Sequence, residues 1–256
     1  MKKNATIVYA IKRSFVKSDI SILEALDYNV FQIQSPPKKT VLAFVINRIK
    51  EKIKSIYYVS RSKILIIWFN DYHAFIPILF SKLFFKKSVI VVGGYDAIVD
   101  EQNQHGLFFN TGLRSILAKI NYSLVSEIWV VHKSLEKGCS YAKEKFNIIS
   151  GVRSFSNNKN LLIKEINTGY DTRFWNYDTK DEKTGVLTAA FFSDERVINI
   201  KGLKIFNKLA IHHQVIGVVS MFRRKKTLFI HISIDIEILQ LHQNKKNLIW
   251  QQHFKK

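Results

Sequence analysis

The chain has 256 residues, 47% of them hydrophobic, enough for one large domain or two modest ones and too apolar for wholesale disorder. Forty basic residues against 20 acidic ones leave a net charge of +20, a statement about anionic partners rather than about fold. The charge is scattered with no long basic tract, so nucleic acid is not the expected partner, and a single cysteine, Cys139, excludes an internal disulfide and suggests a reducing compartment.

Short β-branched runs alternate with longer amphipathic segments over the first 200 or so residues, the pattern of βα units around a parallel sheet. Residues 6–10 read as the first strand. The apolar run that contains them ends at Lys12-Arg13, too early for a signal peptide, and nothing approaches the ~20 apolar residues of a spanning helix. The chain therefore reads as cytoplasmic. Residues 19–26 read as a helix opened by Ser18 or Asp19, residues 28–32 as a strand cut off by Ser35-Pro36-Pro37, and residues 40–54 as a basic helix. Residues 63–69 form a continuous apolar run, expected of a strand buried on both faces. Asn70-Asp71-Tyr72-His73 follows as a loop, then a helix over residues 74–85 closed by Lys86-Lys87. The strand at residues 88–92 runs straight into Gly93-Gly94-Tyr95-Asp96-Ala97. Backbone approaches ligands closely just beyond the carboxyl ends of parallel strands, so a double glycine there is informative.

Residues 113–123 and 134–145 read as helices around a strand at residues 127–131, with Cys139 a small packing residue of the second helix. Residues 150–160 read as a loop, residues 161–166 as a strand, and Asn167-Thr168-Gly169-Tyr170-Asp171 as a turn. The charged stretch at residues 178–183 has no apolar content and marks a boundary, which divides the chain into residues 1–177 and 184–256. A strand at residues 185–191 opens a second set of βα units. Residues 232–241 keep helical spacing, but the second part is short for a doubly wound domain.

Several of these stretches, in order, resemble family 4 glycosyltransferases and their relatives with two facing Rossmann-like domains, the GT-B fold. They are Ile66-Ile67-Trp68-Phe69-Asn70-Asp71-Tyr72-His73, the Gly93-Gly94-Tyr95-Asp96-Ala97 turn, His105-Gly106, and Glu127-Ile128-Trp129-Val130-Val131 with its serine-started helix at Ser134. Ile166-Asn167-Thr168-Gly169-Tyr170-Asp171-Thr172-Arg173-Phe174 is similar to the family's crossing between domains. Asp194-Glu195-Arg196 and Lys201-Gly202-Leu203 are similar to the loop and helix start of its donor-binding domain.

The resemblance implies an α/β chain with a Rossmann-type acceptor-side domain at residues 1–177 and an incomplete nucleotide-sugar domain at residues 184–256. The family's paired glutamates have no match after Gly202, so the expectation is a chain that stops short of a complete donor site. The implied activity is transfer of a hexose from a nucleotide-diphosphate sugar to a sugar or lipid-linked acceptor, with no cofactor and no metal. Peripheral contact with the inner face of a membrane is also implied. Arg196, Lys201 and Gly202 are the implied donor-binding residues: two cations and a helix amino end suit a diphosphate. Asp71, His73, Gly93, Gly94, Tyr95 and Asp96 are the candidates for the acceptor side and cleft, against a plainer reading of Asp71 as a cap, His73 as a surface histidine and Asp96 as a cap. His212-His213 reads as a solvated pair. The alternative for the whole chain is a non-catalytic remnant or binding module whose basic surface meets a membrane or partner, and for the basic helix itself a merely solvated lysine face.

Overall fold

The computed structural model describes residues 2–37, 40–169, 186–191, 195–212, 217–223 and 226–232. The chain divides into two compact units, Met1–Trp175 and Asn176–Lys256. The expected connector at residues 178–183, the crossing beyond Gly169, Asp194, His213 and the expected helix past Ile232 lie outside the described residues.

The first unit runs β1 (Lys3–Tyr9), α1 (Ser14–Ala25), β2 (Tyr28–Gln34), α2 (Val41–Arg61), β3 (Ile64–Trp68), α3 (Tyr72–Leu83) and β4 (Lys87–Val92). It continues with β5 (Ile98–Val99), α4 (Leu113–Leu124), β6 (Glu127–Val130), α5 (Ser134–Lys137), α6 (Ser140–Phe146), β7 (Ile149–Ser150) and β8 (Leu162–Glu165). Six strands form one parallel sheet in the order β2-β1-β3-β4-β6-β8, while β5 and β7 pair separately and antiparallel. This is an α/β, Rossmann-like architecture of helices against a parallel sheet. The chain passes from β1 outward to β2 and then returns to the other side of β1 for β3, so the direction of winding reverses between β1 and β3.

The apolar runs become strands because both sides of the sheet are covered. In register, Val8, Ile67, Ile90 and Ile128 make one row, buried with Val59 of α2, Ile78 of α3 and Ala118 of α4. Trp68 and Val91 lie side by side on the opposite face with Val16 and Ile20 of α1. Each fully buried branched side chain contributes about 1.5–3 kcal/mol relative to exposure.

Helix bounds depart from the sequence pattern where tertiary contacts intervene. Helix α1 begins at Ser14, not at residue 19, and Asp19 accepts a 2.7 Å hydrogen bond from the Trp68 indole instead of capping the helix. Helix α2 runs on to Arg61 because Ser55 and Val59 still face inward. The single helix expected over residues 134–145 is two short ones, broken at Gly138, whose φ of 87° and 2.3 Å clearance between an added Cβ and the Ser150 carbonyl admit only glycine. Cys139 consequently precedes α6 and is exposed, which overturns its expected packing role. Lys87 opens β4 rather than closing α3.

The second unit contains β9 (Val186–Phe191), α7 (Glu195–Ile200), α8 (Leu203–His212), β10 (Gly217–Arg223) and β11 (Lys226–Ile232). Strand β10 lies between β9, to which it is parallel, and β11, to which it is antiparallel.

One buried charge stabilises the outer half of the main sheet. Glu127 of β6 is 2% exposed and lies beneath Lys87 of β4 and Lys164 of β8, each 2.9 Å away, with the Trp129 indole donating to it at 2.6 Å. Burial alone would raise its pKa; the hydrogen bonds from Trp129, Lys164 and Lys87 overcome that and hold it at about 2. A depressed carboxyl stabilises the fold above its ordinary range and loses that contribution as pH falls from about 4.5 toward about 2. Replacing Glu127 with Gln is expected to lower the unfolding free energy by on the order of 2 kcal/mol at pH 7. Urea denaturation of both proteins should show the gap closing below about pH 4.

Candidate functional site

In an open parallel sheet, ligands meet the carboxyl edge of the strands where the winding reverses. Here that edge includes the end of β3 at Trp68, and the acceptor-side candidates lie on this strand's loop and on the next one. Asp96 ties the two loops together. Fully buried, it accepts from the amide of Asn70 at 2.9 Å through one oxygen and from Gly93 and Gly94, both at 3.1 Å, through the other. The amides of the double glycine are thus already committed to a carboxylate of the chain itself. Gly93 is glycine for a second reason: an added Cβ would lie 2.4 Å from the Phe69 ring.

The network extends into α4. Asn70 donates to the Ala118 carbonyl at 2.8 Å and accepts from Asn121 at 2.9 Å. The Tyr122 hydroxyl donates to the Asp96 carbonyl at 2.6 Å. A 3₁₀ turn at Tyr95–Ala97 then carries the chain past, with Gly94 at a φ of 124°. Tyr95 is exposed and packs edge-on against His105.

Asp71 caps α3 by accepting from the Tyr72 amide at 2.6 Å, and the same carboxylate receives a two-pronged hydrogen bond from Arg114 at the start of α4. Arg114 also lies over Tyr72 and Tyr95, 5.9 and 5.8 Å from their ring centroids. Its hydrogen bond to Asp71 outweighs partial burial and raises its pKa, so it is a permanent cation. Tyr72 receives a second guanidinium, that of Arg48, 4.8 Å from its ring. Arg48 in turn donates to Ser35 and to the buried Glu51. Burial raises the pKa of Glu51, against the pull of Arg48 and Ser35.

His73 is not the surface histidine that the plainer sequence reading expected. Because α3 starts at Tyr72, His73 falls in its first turn and faces inward, fully covered. Its Nε2 lies 3.1 Å from the Trp68 carbonyl, which can only accept, so Nε2 carries the proton. Burial lowers its pKa, which leaves a neutral ring with Nδ1 unpartnered among the described residues.

Asp71, Arg114 and Tyr95 are therefore the side chains that this edge offers a ligand; Asp96 lies beneath and holds the Gly93-Gly94 turn, and His73 holds the end of β3 at Trp68. Sequence reasoning missed Arg114, Asn70, Asn121 and Tyr122. The signal available was an asparagine and a tyrosine in α4 at the inward spacing set by Ser115 and Ala118; nothing local marks Arg114.

The donor-side candidates belong to the second unit. Arg196 is the second residue of α7 and not part of an open loop, because helix begins at Glu195. Lys201 is exposed and Gly202, with a φ of 67°, turns the chain from α7 into α8; its amide donates to the Asn199 carbonyl at 3.0 Å. Among the described residues no group of three or more His, Cys, Asp or Glu is arranged to hold a metal ion. No protein-family model matches the chain, and a search of curated proteins finds no match.

Burial raises the pKa of Asp96 to about 6, against the lowering pull of the amides of Asn70, Gly94 and Gly93. The native state holds this proton more tightly than an unfolded chain does. The associated stability is full below about pH 4 and is lost as pH rises through about 6, an effect on the order of 3 kcal/mol. Asparagine at this position cannot titrate and would aim an amide N–H₂ at backbone donors. Asp96→Asn is expected to be less stable, and its deficit relative to the native protein should widen between pH 7 and pH 5 in urea melts.

Proposed function

We propose that the chain is a GT-B-type glycosyltransferase, or retains the acceptor side of one. The reaction moves a hexose, with retention at its anomeric carbon, from a UDP- or GDP-sugar to a hydroxyl of a sugar or lipid-linked acceptor. The acceptor oxygen bonds to the anomeric carbon, the bond to the diphosphate breaks, and the bonding electrons and the hydroxyl proton depart with the nucleoside diphosphate. The observation that carries this reading is the carboxyl edge of β3 and β4. A polar rim of Asp71, Arg114 and Tyr95 is held there on a rigid backbone by the buried Asp96. That rim suits hydroxyl-rich ligands: a carboxylate and a guanidinium hydrogen-bond to sugar hydroxyls, and an aromatic face packs on a sugar ring.

In this reading Arg196, Lys201 and the amino end of α8 at Gly202 neutralise the leaving diphosphate, and cations that meet charge as it develops stabilise the transition state more than the substrate. The chemistry is assigned to these cations, without a cofactor. The acceptor is drawn from the cytoplasmic side of a membrane.

The test is titration of the full chain with UDP and GDP and with their hexose conjugates, followed by calorimetry, and an assay for protein-dependent release of nucleoside diphosphate. Binding is expected, and Arg196→Ala with Lys201→Ala should weaken it by at least about tenfold while leaving the fold intact. Absence of binding to every nucleotide and nucleotide sugar overturns hexosyl transfer by this chain; absence of binding to simple sugars as well overturns the retained acceptor side.

A further inference from the structure

Helix α2 is turned inside out for a surface helix. Its inward side carries Asn47, Arg48, Glu51 and Ser55 and joins the apolar core through one buried residue, Val59, near its end. Its outward side carries Leu42, Ile46, Ile49, Ile53 and Ile56, stepping by four, three, four and three residues, with Leu42 70% exposed. From Leu42 to Ile56 the stripe spans about 21 Å of the 21-residue helix. Helix α3 packs beside α2, and α4 beside α3, on the same side of the sheet. They prolong the pattern, with Leu79 and Leu83 outward on α3 and Leu113 (71% exposed), Ile116 and Ile120 outward on α4. At the end of α3, Phe85 is 96% exposed and held at a φ of 54°, a helix-ending conformation that glycine adopts without strain.

The charges on this face are of one sign. Lys50, Lys52, Lys54, Lys82 and Lys119 are exposed, whereas the three helices contain one carboxylate between them, the buried Glu51. No described helix is long and apolar enough to cross a membrane.

We infer that the outer face of α2, α3 and α4 is a docking surface for an anionic phospholipid bilayer, on which the protein lies without spanning it. Apolar side chains would enter the acyl boundary while lysine stems reach back to the headgroup phosphates. A second copy fits less well, since Lys50 and Lys52 edge the α2 stripe and would face their equivalents across a paired helix. A protein partner fits less well too. Protein interfaces are poor in lysine and favour arginine, whereas this face is lysine-edged and Arg48 and Arg114 are engaged elsewhere. The inference does not depend on glycosyl transfer, because lipid binding and nucleotide binding are read separately.

Flotation of the full chain with vesicles tests it, comparing pure phosphatidylcholine with phosphatidylcholine containing phosphatidylglycerol. Binding is expected to be at least about tenfold stronger to the anionic vesicles and to weaken with added salt. Leu42→Ser with Ile49→Ser and Ile53→Ser should reduce it by at least about tenfold with an unchanged circular dichroism spectrum. Phe85→Gly separates docking from folding: it should raise the melting temperature by relieving the backbone while weakening vesicle binding. Replacing Lys133, Lys137 and Lys143, which lie outside these helices, with Ser should leave most of the binding in place. Failure of the native chain to bind anionic vesicles overturns the inference, as does equal binding by the serine variant. A dimer in sedimentation that dissociates in the serine variant, without vesicle binding, would instead assign the face to a second copy.

Discussion

A single buried carboxylate organises the carboxyl edge of this fold. Asp96 accepts three main-chain N–H groups from two different strand ends, among them that of the fully buried Asn70, which would otherwise be a donor without a partner. Asn70, held by this carboxylate, and Tyr122, which donates to the Asp96 main-chain carbonyl, fix α4, and α4 in turn presents Arg114 to Asp71. The exposed polar rim inherits its geometry from this interior, and the cost of burying the ion is what makes the arrangement sensitive to pH.

Two other charges are handled in the same way, by burial with partners. Glu127 lies under two lysines and an indole on the outer part of the sheet, and Glu51 is turned inward to Arg48 and Asn47. Inward-facing polar residues on α2 and outward-facing aliphatics belong together: the helix cannot rotate to hide its isoleucines without exposing them elsewhere and breaking the Arg48–Glu51–Ser35 contacts. That coupling makes the apolar face a built feature of the first unit.

The proposed acceptor rim and the proposed docking surface share this unit without competing for residues. The polar rim lies on the loops after β3 and β4 and at Arg114 in the first turn of α4, whereas the apolar stripe occupies the solvent side of the helices that follow β2, β3 and the Gly112 turn. An enzyme whose acceptor is anchored in lipid has use for both.

How much was legible beforehand follows from the range of each interaction. Continuous runs such as residues 64–68 and the alternation with amphipathic segments depend on neighbours within one element, so strands, helices and a parallel sheet could be read directly. Asp71 as a cap was readable for the same reason, since Tyr72 is its neighbour, whereas Asp96, read as a cap, instead joins two loops through Asn70, 26 residues away. Gly138 breaking a helix was not, because the carbonyl that excludes a side chain comes from Ser150. Nor was the inward turn of His73, the pairing of Arg114 with Asp71 43 residues away, or the two lysines on Glu127. The sequence by itself determined an α/β chain, the cap at Asp71 and an excess of positive charge. Only the tertiary structure decided the strand order, which charges are buried, and which side of α2 faces out, because each is set by side chains that meet only after the sheet has formed.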